Sequence, residues 1–372
     1  MAVALMGERS LRIACVVASA TWRSPIVANM SQIRPFRIGE ALARRGHRVD
    51  LVLDRFPGPR ELAPRLREIP LALARWDDYD VVKTHYVGGF DTLLAAGGGG
   101  HPCIVSRLVN VVGADGDPGL NVFGRMRDEF LATQLRVAEH ARVVVVTSEG
   151  NRRAWRARHG DDRPLWTIPT GVDRDLPPSG PSPYAALGLD APIALFAGNL
   201  RTHGQQPEVN ARWQDRLNRL GRALRRRGIR LVAMGSGASE LLDPAAVVHV
   251  GPVANGESWD WLRHAQVGVA LAEGPADNNE KGRIYYHLRV ELPTVCERPV
   301  ENHTLIEKTG HGAVVDHDDV EAMAEAASGL VARPPATPGL ADFMVAHHSW
   351  DVRTAAYDAL CDLSLDGGRR SP

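Results

Sequence analysis

Short apolar runs alternate with helix-period patterns along almost the whole chain, and the alternation is laid down twice. The first series opens with "LRIACVVAS", which reads as a strand, "PFRIGEALARRG", a helix stopped by Gly46, and "HRVDLVL", a second strand. Together these make a βαβ unit, in which two parallel strands are joined by a crossover helix. "DYDVVKTH" and "PCIVSRLVNVV" add strands, "DEFLATQLRVAEHA" a helix, and "RVVVVTS" another strand. The expected product is a parallel sheet with helices outside it. The tetraglycine at 97–100 falls between helix and strand signals and reads as a surface loop.

After "PLWTIPTGVD" comes "RDLPPSGPSP", ten residues of which five are proline or glycine, the clearest linker in the chain. A second βα series follows: "APIALFAGNL", a helix from Pro207 to Arg227, "IRLVAMGSG", "VVHVGPV", "SWDWLRHA", "VGVALAEG", "KGRIYYHLRVELPTV" and "GAVVDHDD". The expected domains are 1–173, a linker at 174–188, 189–345, and a C-terminal helix and tail at 346–372 whose amphipathic "SWDVRTAAYDALCDL" needs a host surface, the first domain being one candidate. A length of 372 residues suits two cores of ordinary size. Two doubly wound halves place the carboxyl ends of both sheets around a cleft, where open parallel sheets bind ligands.

Lys plus Arg and Asp plus Glu are equal at 44 each, so the field of the whole molecule gives nucleic acid no purchase and any charge argument must be local. The four cysteines lie far apart, three of them in apolar runs, and are expected reduced. The N-terminus lacks a signal-peptide core and no run of about 18 apolar residues occurs, so a cytoplasmic protein is expected.

"PLWTIPTGVD", "ALFAGNL", "GSG", "KGRIYYHLRVELPTV" and "ENHTLIEKTGHGAVVDHDDVEAMA" resemble, in order and spacing, the successive landmarks of GT-B glycosyltransferases, above all the retaining family 4 type. The resemblance covers most of the chain, most clearly residues 140–327. It implies a GT-B α/β fold of two Rossmann-like domains, a nucleotide-diphosphate sugar (UDP or GDP) as donor substrate and no separate cofactor. It also implies transfer to a small-molecule, polysaccharide or lipid-linked acceptor held by the first domain, with retention of anomeric configuration.

A diphosphate gains charge as the anomeric bond breaks, so an enzyme working without a metal needs fixed cations and N–H donors around it. Lys281 and Arg283 fit that need, and Gly282 between them lets backbone approach closely. Through the resemblance, Arg283 falls on the family's phosphate-binding basic position and Tyr286 on its ribose-binding glutamate. Glu291 falls on the glycine before the Leu-Pro, and Asn278, beside Asn279, on the earlier carboxylate. A tyrosine offers one hydrogen bond where a carboxylate offers a ribose diol two. In "FAGNLRTHG", Gly198, Asn199 and Arg201 follow a strand, where Arg201 can grip phosphate bidentately. Gly235 and Gly237 form a second turn of the same kind. Glu301, Asn302, His303 and Thr304 match the loop near the donor sugar, and His85 ends a first-domain strand at the position that faces that sugar across the cleft. The loop carrying Trp22, Arg23 and Ser24 is read as shaping acceptor binding.

Asp115-Gly116-Asp117 and Asp316-His317-Asp318 copy the Asp-x-Asp of metal-dependent glycosyltransferases, but the first sits in a turn context and the second at a strand end where Asp318 or Asp319 can cap a helix. No metal is expected. Neither His-Glu-x-x-His, Gly-x-Ser-x-Gly nor a Walker lysine occurs. Three other classes compete: a nucleotide-sugar 2-epimerase of the same fold, a non-catalytic sugar-nucleotide-binding module suggested by Tyr286, and a dinucleotide oxidoreductase, weakened by the missing Gly-x-Gly-x-x-Gly. The helix from Pro207 carries Arg212, Arg216, Arg219, Arg222, Arg225, Arg226 and Arg227, a solvated face or a peripheral contact with an anionic inner-membrane surface.

Overall fold

The computed structural model describes residues 10–18, 30–54, 58–114, 127–200, 207–237, 239–275, 277 and 279–360. Within them the two series build two sheets. In the first, β1 (Arg12–Val17), β2 (Arg48–Leu53), β3 (Arg60–Ala63), β4 (Leu66–Pro70), β5 (Val81–His85), β6 (Ile104–Arg107), β7 (Val143–Val146) and β8 (Leu165–Thr167) lie in the order β3-β4-β2-β1-β5-β6-β7-β8. Every neighbouring pair is parallel except β3 with β4. In the second, β9 (Ile193–Ala197), β10 (Arg230–Met234), β11 (Val247–Gly251), β12 (Val267–Ala270), β13 (Thr294–Glu297) and β14 (Gly312–Val315) run all-parallel in the order β11-β10-β9-β12-β13-β14. The order reverses beside the first strand of each sheet, which is the switch point where such sheets bind ligands.

The central strands are buried along their length because helices cover both faces: β1, β5 and β7 contain almost nothing exposed. In the first domain α1 (Met30–Arg44), α2 (Tyr86–Ala95), α3 (Arg127–His140) and α4 (Glu149–His159) form the covering layers. In the second these are α5 (Pro207–Arg225), α6 (Asn255–His264), α7 (Gly282–Arg289), α8 (His303–Thr309), α9 (Val320–Ala332) and α10 (Leu340–His348). The β3–β4 hairpin and α4 are additions to the sequence reading; the tetraglycine forms a single 3₁₀ turn.

The chain passes between the domains twice, and the passages touch. Val172 forms an isolated parallel bridge with Ser349; its N–H donates to the His348 carbonyl at 2.8 Å and its carbonyl accepts from Trp350 N–H at 3.1 Å. Gly171 lies so close to Trp350 that a Cβ there would sit 2.6 Å from the indole. Beyond this point α11 (Trp350–Thr354) and the following 3₁₀ turn settle on α1 of the first domain, where Arg44 pairs with Asp351 at 2.9 Å and Arg45 with Asp358. Cys15, Cys103 and Cys296 are buried free thiols; Cys361 lies outside the described residues.

Candidate active site

Loops that follow the carboxyl ends of strands in one domain meet their counterparts in the other. Asn279, after β12, donates from Nδ2 to Asn110 Oδ1, after β6, at 2.8 Å. Glu280 reaches the junction: its Oε1 accepts from Thr170 N–H at 2.7 Å and Thr170 Oγ1 at 2.5 Å, while its Oε2 accepts from the Tyr285 hydroxyl at 3.0 Å. Arg34 of α1 donates to the same Thr170 Oγ1 at 3.1 Å and to the Tyr86 hydroxyl at 3.2 Å. Tyr86 starts α2 with φ 59°, a left-handed strain at the turn out of β5.

Glu301, after β13, turns its carboxylate to the first domain. Its oxygens accept from Glu149 N–H at 2.6 Å and Gly150 N–H at 2.7 Å, the unpaired donors that open α4, where the helix dipole favours an anion. Burial raises its pKa, against the pull of those two N–H groups. Of its neighbours, Asn302 holds the Lys281 backbone from both sides, accepting from its N–H at 2.8 Å and donating to its carbonyl at 3.1 Å. His303 Nδ1 faces the Val300 carbonyl at 2.7 Å, and Thr304 Oγ1 donates to the Glu301 carbonyl at 3.4 Å.

Lys281 and Arg283 stand two residues apart with opposite surroundings. Lys281 Nζ is buried and caged by Asp277 at 2.8 Å and Glu273 at 3.0 Å. The Arg283 guanidinium lies over the Phe196 ring, 4.4 Å from its centroid, and against Gly198, where a Cβ would collide with it. Its Nη1 is buried without a hydrogen-bond partner, and desolvation lowers its pKa to about 10, which leaves it charged at neutral pH.

The glycine turns after β9 and β10 are explained first by mutual packing. Gly198 N–H donates to Met234 O and Leu200 N–H to Ser236 O, both at 2.8 Å, while the Ser236 hydroxyl donates to Asn199 Oδ1 at 3.0 Å. Gly235 and Gly237 have φ of 154° and 135°, and a Cβ on either would strike the β9 loop. Tyr286 points into the core, its ring 5.2 Å from Trp259 and its hydroxyl buried, because α7 turns that face toward the sheet. Arg201, Asn278, the Trp22–Ser24 loop and Asp115–Asp117 lie outside the described residues. Asp316 and Asp318 face Arg298 and Arg219, and Asp319 caps α9 by accepting from Ala322 N–H at 2.9 Å. Among the described residues no cluster of three His, Cys, Asp or Glu side chains is placed to hold a metal ion.

His85 is buried on the α1 side of the first sheet, its Nε2 2.9 Å from Lys83 Nζ. Burial first, then the charge of Lys83, Arg107 and Arg34, drives its pKa well down, so the imidazole is neutral. Sequence reasoning passed over Lys83 and Arg107, although a Lys in "DVVKTH" and an Arg in "CIVSRLV" are polar residues at inward positions of apolar strands. It also passed over Arg34.

Most of the arginines of α5 and of the turn after it are engaged within the second domain. Arg216 pairs with Glu297, Arg219 with Asp318 at 2.9 Å, Arg222 with Asp243 at 3.4 Å, and Arg226 and Arg227 share Glu321. Among the described residues no helix is long and apolar enough to cross a membrane.

Two facing Rossmann-like domains with a second crossing at the C-terminus define the GT-B fold, the architecture of a large class of glycosyltransferases. Solved structures of that class superpose over nearly the full chain. A sucrose-phosphate synthase from Thermosynechococcus elongatus matches with TM-score 0.65 and 17% identity over 97% of this chain and 98% of its own. AviGT4, a glycosyltransferase involved in avilamycin A biosynthesis, matches with TM-score 0.58 and 18% identity over 96% and 98%. Anabaena HepE in complex with UDP-glucose matches with TM-score 0.59 and 11% identity over 96% and 98%. No protein-family model matches the sequence, and no curated protein matches it.

Proposed function

We propose that the protein is a glycosyltransferase that moves a sugar from a nucleotide-diphosphate donor, bound by the second domain, to an acceptor on the first. One observation carries the reading: Arg283, half-buried in the first turn of α7, holds a buried Nη1 without a hydrogen-bond partner at the carboxyl edge of the second sheet, against the Gly198 turn. A desolvated cation that no carboxylate among the described residues pairs with directly is what a leaving diphosphate requires. The structural neighbours support the reading, since HepE is solved with UDP-glucose.

In the mechanism, Arg283 takes the charge that builds on the leaving diphosphate, and Arg201 is assigned the same task from the loop after β9. Lys281, neutralised by its cage, keeps the α7 entrance rigid. Asn279 and Glu301 belong to the contacts that join the lobes and shut water out, and His85, a neutral imidazole, is assigned to the donor sugar. The resemblance adds retention of configuration and no metal: the acceptor attacks from the face the leaving group vacates, and the departing phosphate oxygen takes its proton.

A thermal-shift series over UDP, GDP and their sugars tests the donor class, because a ligand bound only by the folded state raises the melting temperature. The expected shift is present in the native protein and lost in Arg283→Ala; an equal shift in both refutes the assignment. Incubating donor alone and following its stereochemistry separates transfer from 2-epimerisation.

A further inference from the structure

The α1 face of the first sheet buries three cations side by side. Lys83 is 0% exposed, Arg107 1% and Arg34 6%. The strand register places Lys83 next to Cys15 and pairs His85 with Arg107, so these side chains share one face at the carboxyl ends of β5 and β6. Arg107 donates from Nη1 to the Ile168 carbonyl at 2.9 Å; its Nε and Nη2 are buried without a well-formed hydrogen bond, the Tyr357 hydroxyl beside it being equally unsatisfied, and so is Arg34 Nε. Among the described residues Lys83 meets the His85 imidazole and, at 5.5 Å, the face of Tyr357. Glu280, the carboxylate nearest in effect, already has both oxygens hydrogen-bonded to Thr170 and Tyr285.

Glu280 is the one carboxylate whose charge acts on Arg34 and Arg107 among the described residues, and three cations against one carboxylate are costly to bury; apolar side chains of the same volume would pack this face at lower cost. Buried unsatisfied donors in a native fold call for an explanation, and here they gather at the sheet edge where open α/β domains take ligands. We infer that Arg107, Arg34 and Lys83 form an oxyanion site, and that the acceptor carries a phosphate or carboxylate which this site binds. The second half of that statement rests on the glycosyltransferase reading; the first half does not. Arg107 supplies the planar pair of N–H donors that matches two oxygens of either group, and Lys83 supplies a point charge beside it. The lowering of the Lys83 pKa to about 7 by burial agrees, since an arriving anion restores its proton.

Inorganic phosphate is the first probe, compared with chloride at equal ionic strength and without any donor. The wild type is expected to gain melting temperature steadily with the logarithm of phosphate concentration, and Arg107→Gln and Lys83→Met each to lose that gain. Lys83→Met removes a desolvated charge and is expected to fold at least as well as the wild type, so the test survives if Arg107→Gln does not fold. Absence of a gain in the wild type overturns the site, and so does a gain that persists in a folded variant. A gain abolished by Arg283→Ala places the anion in the donor half and also overturns it. The second arm supplies a donor and compares hexose phosphates, hexuronates and neutral hexoses as acceptors. At least a tenfold preference for one anionic class, reduced in Arg107→Gln, supports the acceptor assignment and names the anion; equal rates overturn it. If no acceptor is glycosylated, the glycosyltransferase reading fails while the phosphate measurement still decides the site.

Discussion

Both domains bury cations near the carboxyl ends of their sheets and treat them differently. In the second domain Lys281 is enclosed by Glu273 and Asp277, and Arg216 meets Glu297, so the charges cancel where they stand. In the first, Lys83 and Arg107 face a neutral histidine, a tyrosine ring and a carbonyl. A cancelled charge fixes architecture; an uncancelled one is held ready for something that arrives. Arg283 sharpens the contrast, because two residues from the caged lysine its buried Nη1 is left without a hydrogen-bond partner.

The contrast breaks most visibly through the cage. Asp277→Ala takes from Lys281 the nearer of its two caging carboxylates and is expected to cost about 3–5 kcal/mol of stability, measured by urea unfolding; unchanged stability would make the cage incidental. Arg283→Ala, in contrast, is expected to leave unfolding nearly as it was while lowering transfer about 10²- to 10³-fold, read from initial rates at saturating donor.

Lys83 offers a test by pH. Its folded pKa, about 7, lies below the ordinary 10.5, so between those values the unfolded chain binds a proton that the folded chain does not. Stability therefore rises with pH across that window and is indifferent to this group below it. Denaturant titrations at both ends of the window should show the rise in the wild type and a flatter profile in Lys83→Met; identical profiles would remove Lys83 from the comparison. The smallest effect is at Glu291, whose φ of 57° is a left-handed conformation at the position where the resembled family has glycine. Glu291→Gly should stabilise by roughly 0.5–1 kcal/mol, seen as a small increase in denaturation midpoint.

The alternation of apolar runs and helical patterns was enough to read both sheets, because a strand buried on both faces has no other pattern to show. It could not show the β3–β4 hairpin, whose β3 is short and largely exposed and so leaves no apolar signature. Arg283 was legible as a cation beside a glycine. That Lys281, two residues earlier, is neutralised was not, because its partners Glu273 and Asp277 belong to a loop whose path only the fold decides. Glu301 shows the same limit: its spacing marks a loop after a strand, whereas its partners, the first N–H groups of α4, are some 150 positions away in the chain. Lys83 and Arg107 were in plain view as charges inside apolar strands, and their meaning depended on which groups do not face them.

The pairing of Val172 with Ser349 has a mechanical consequence. Two adjacent tethers behave as the pin of a door: they leave one axis of opening cheap and resist twist and lateral slip. Were the lobes to part, this pairing would guide them along a single track and return the groups at their rims to the same register. Cutting the chain after His348 would turn that door into a flap.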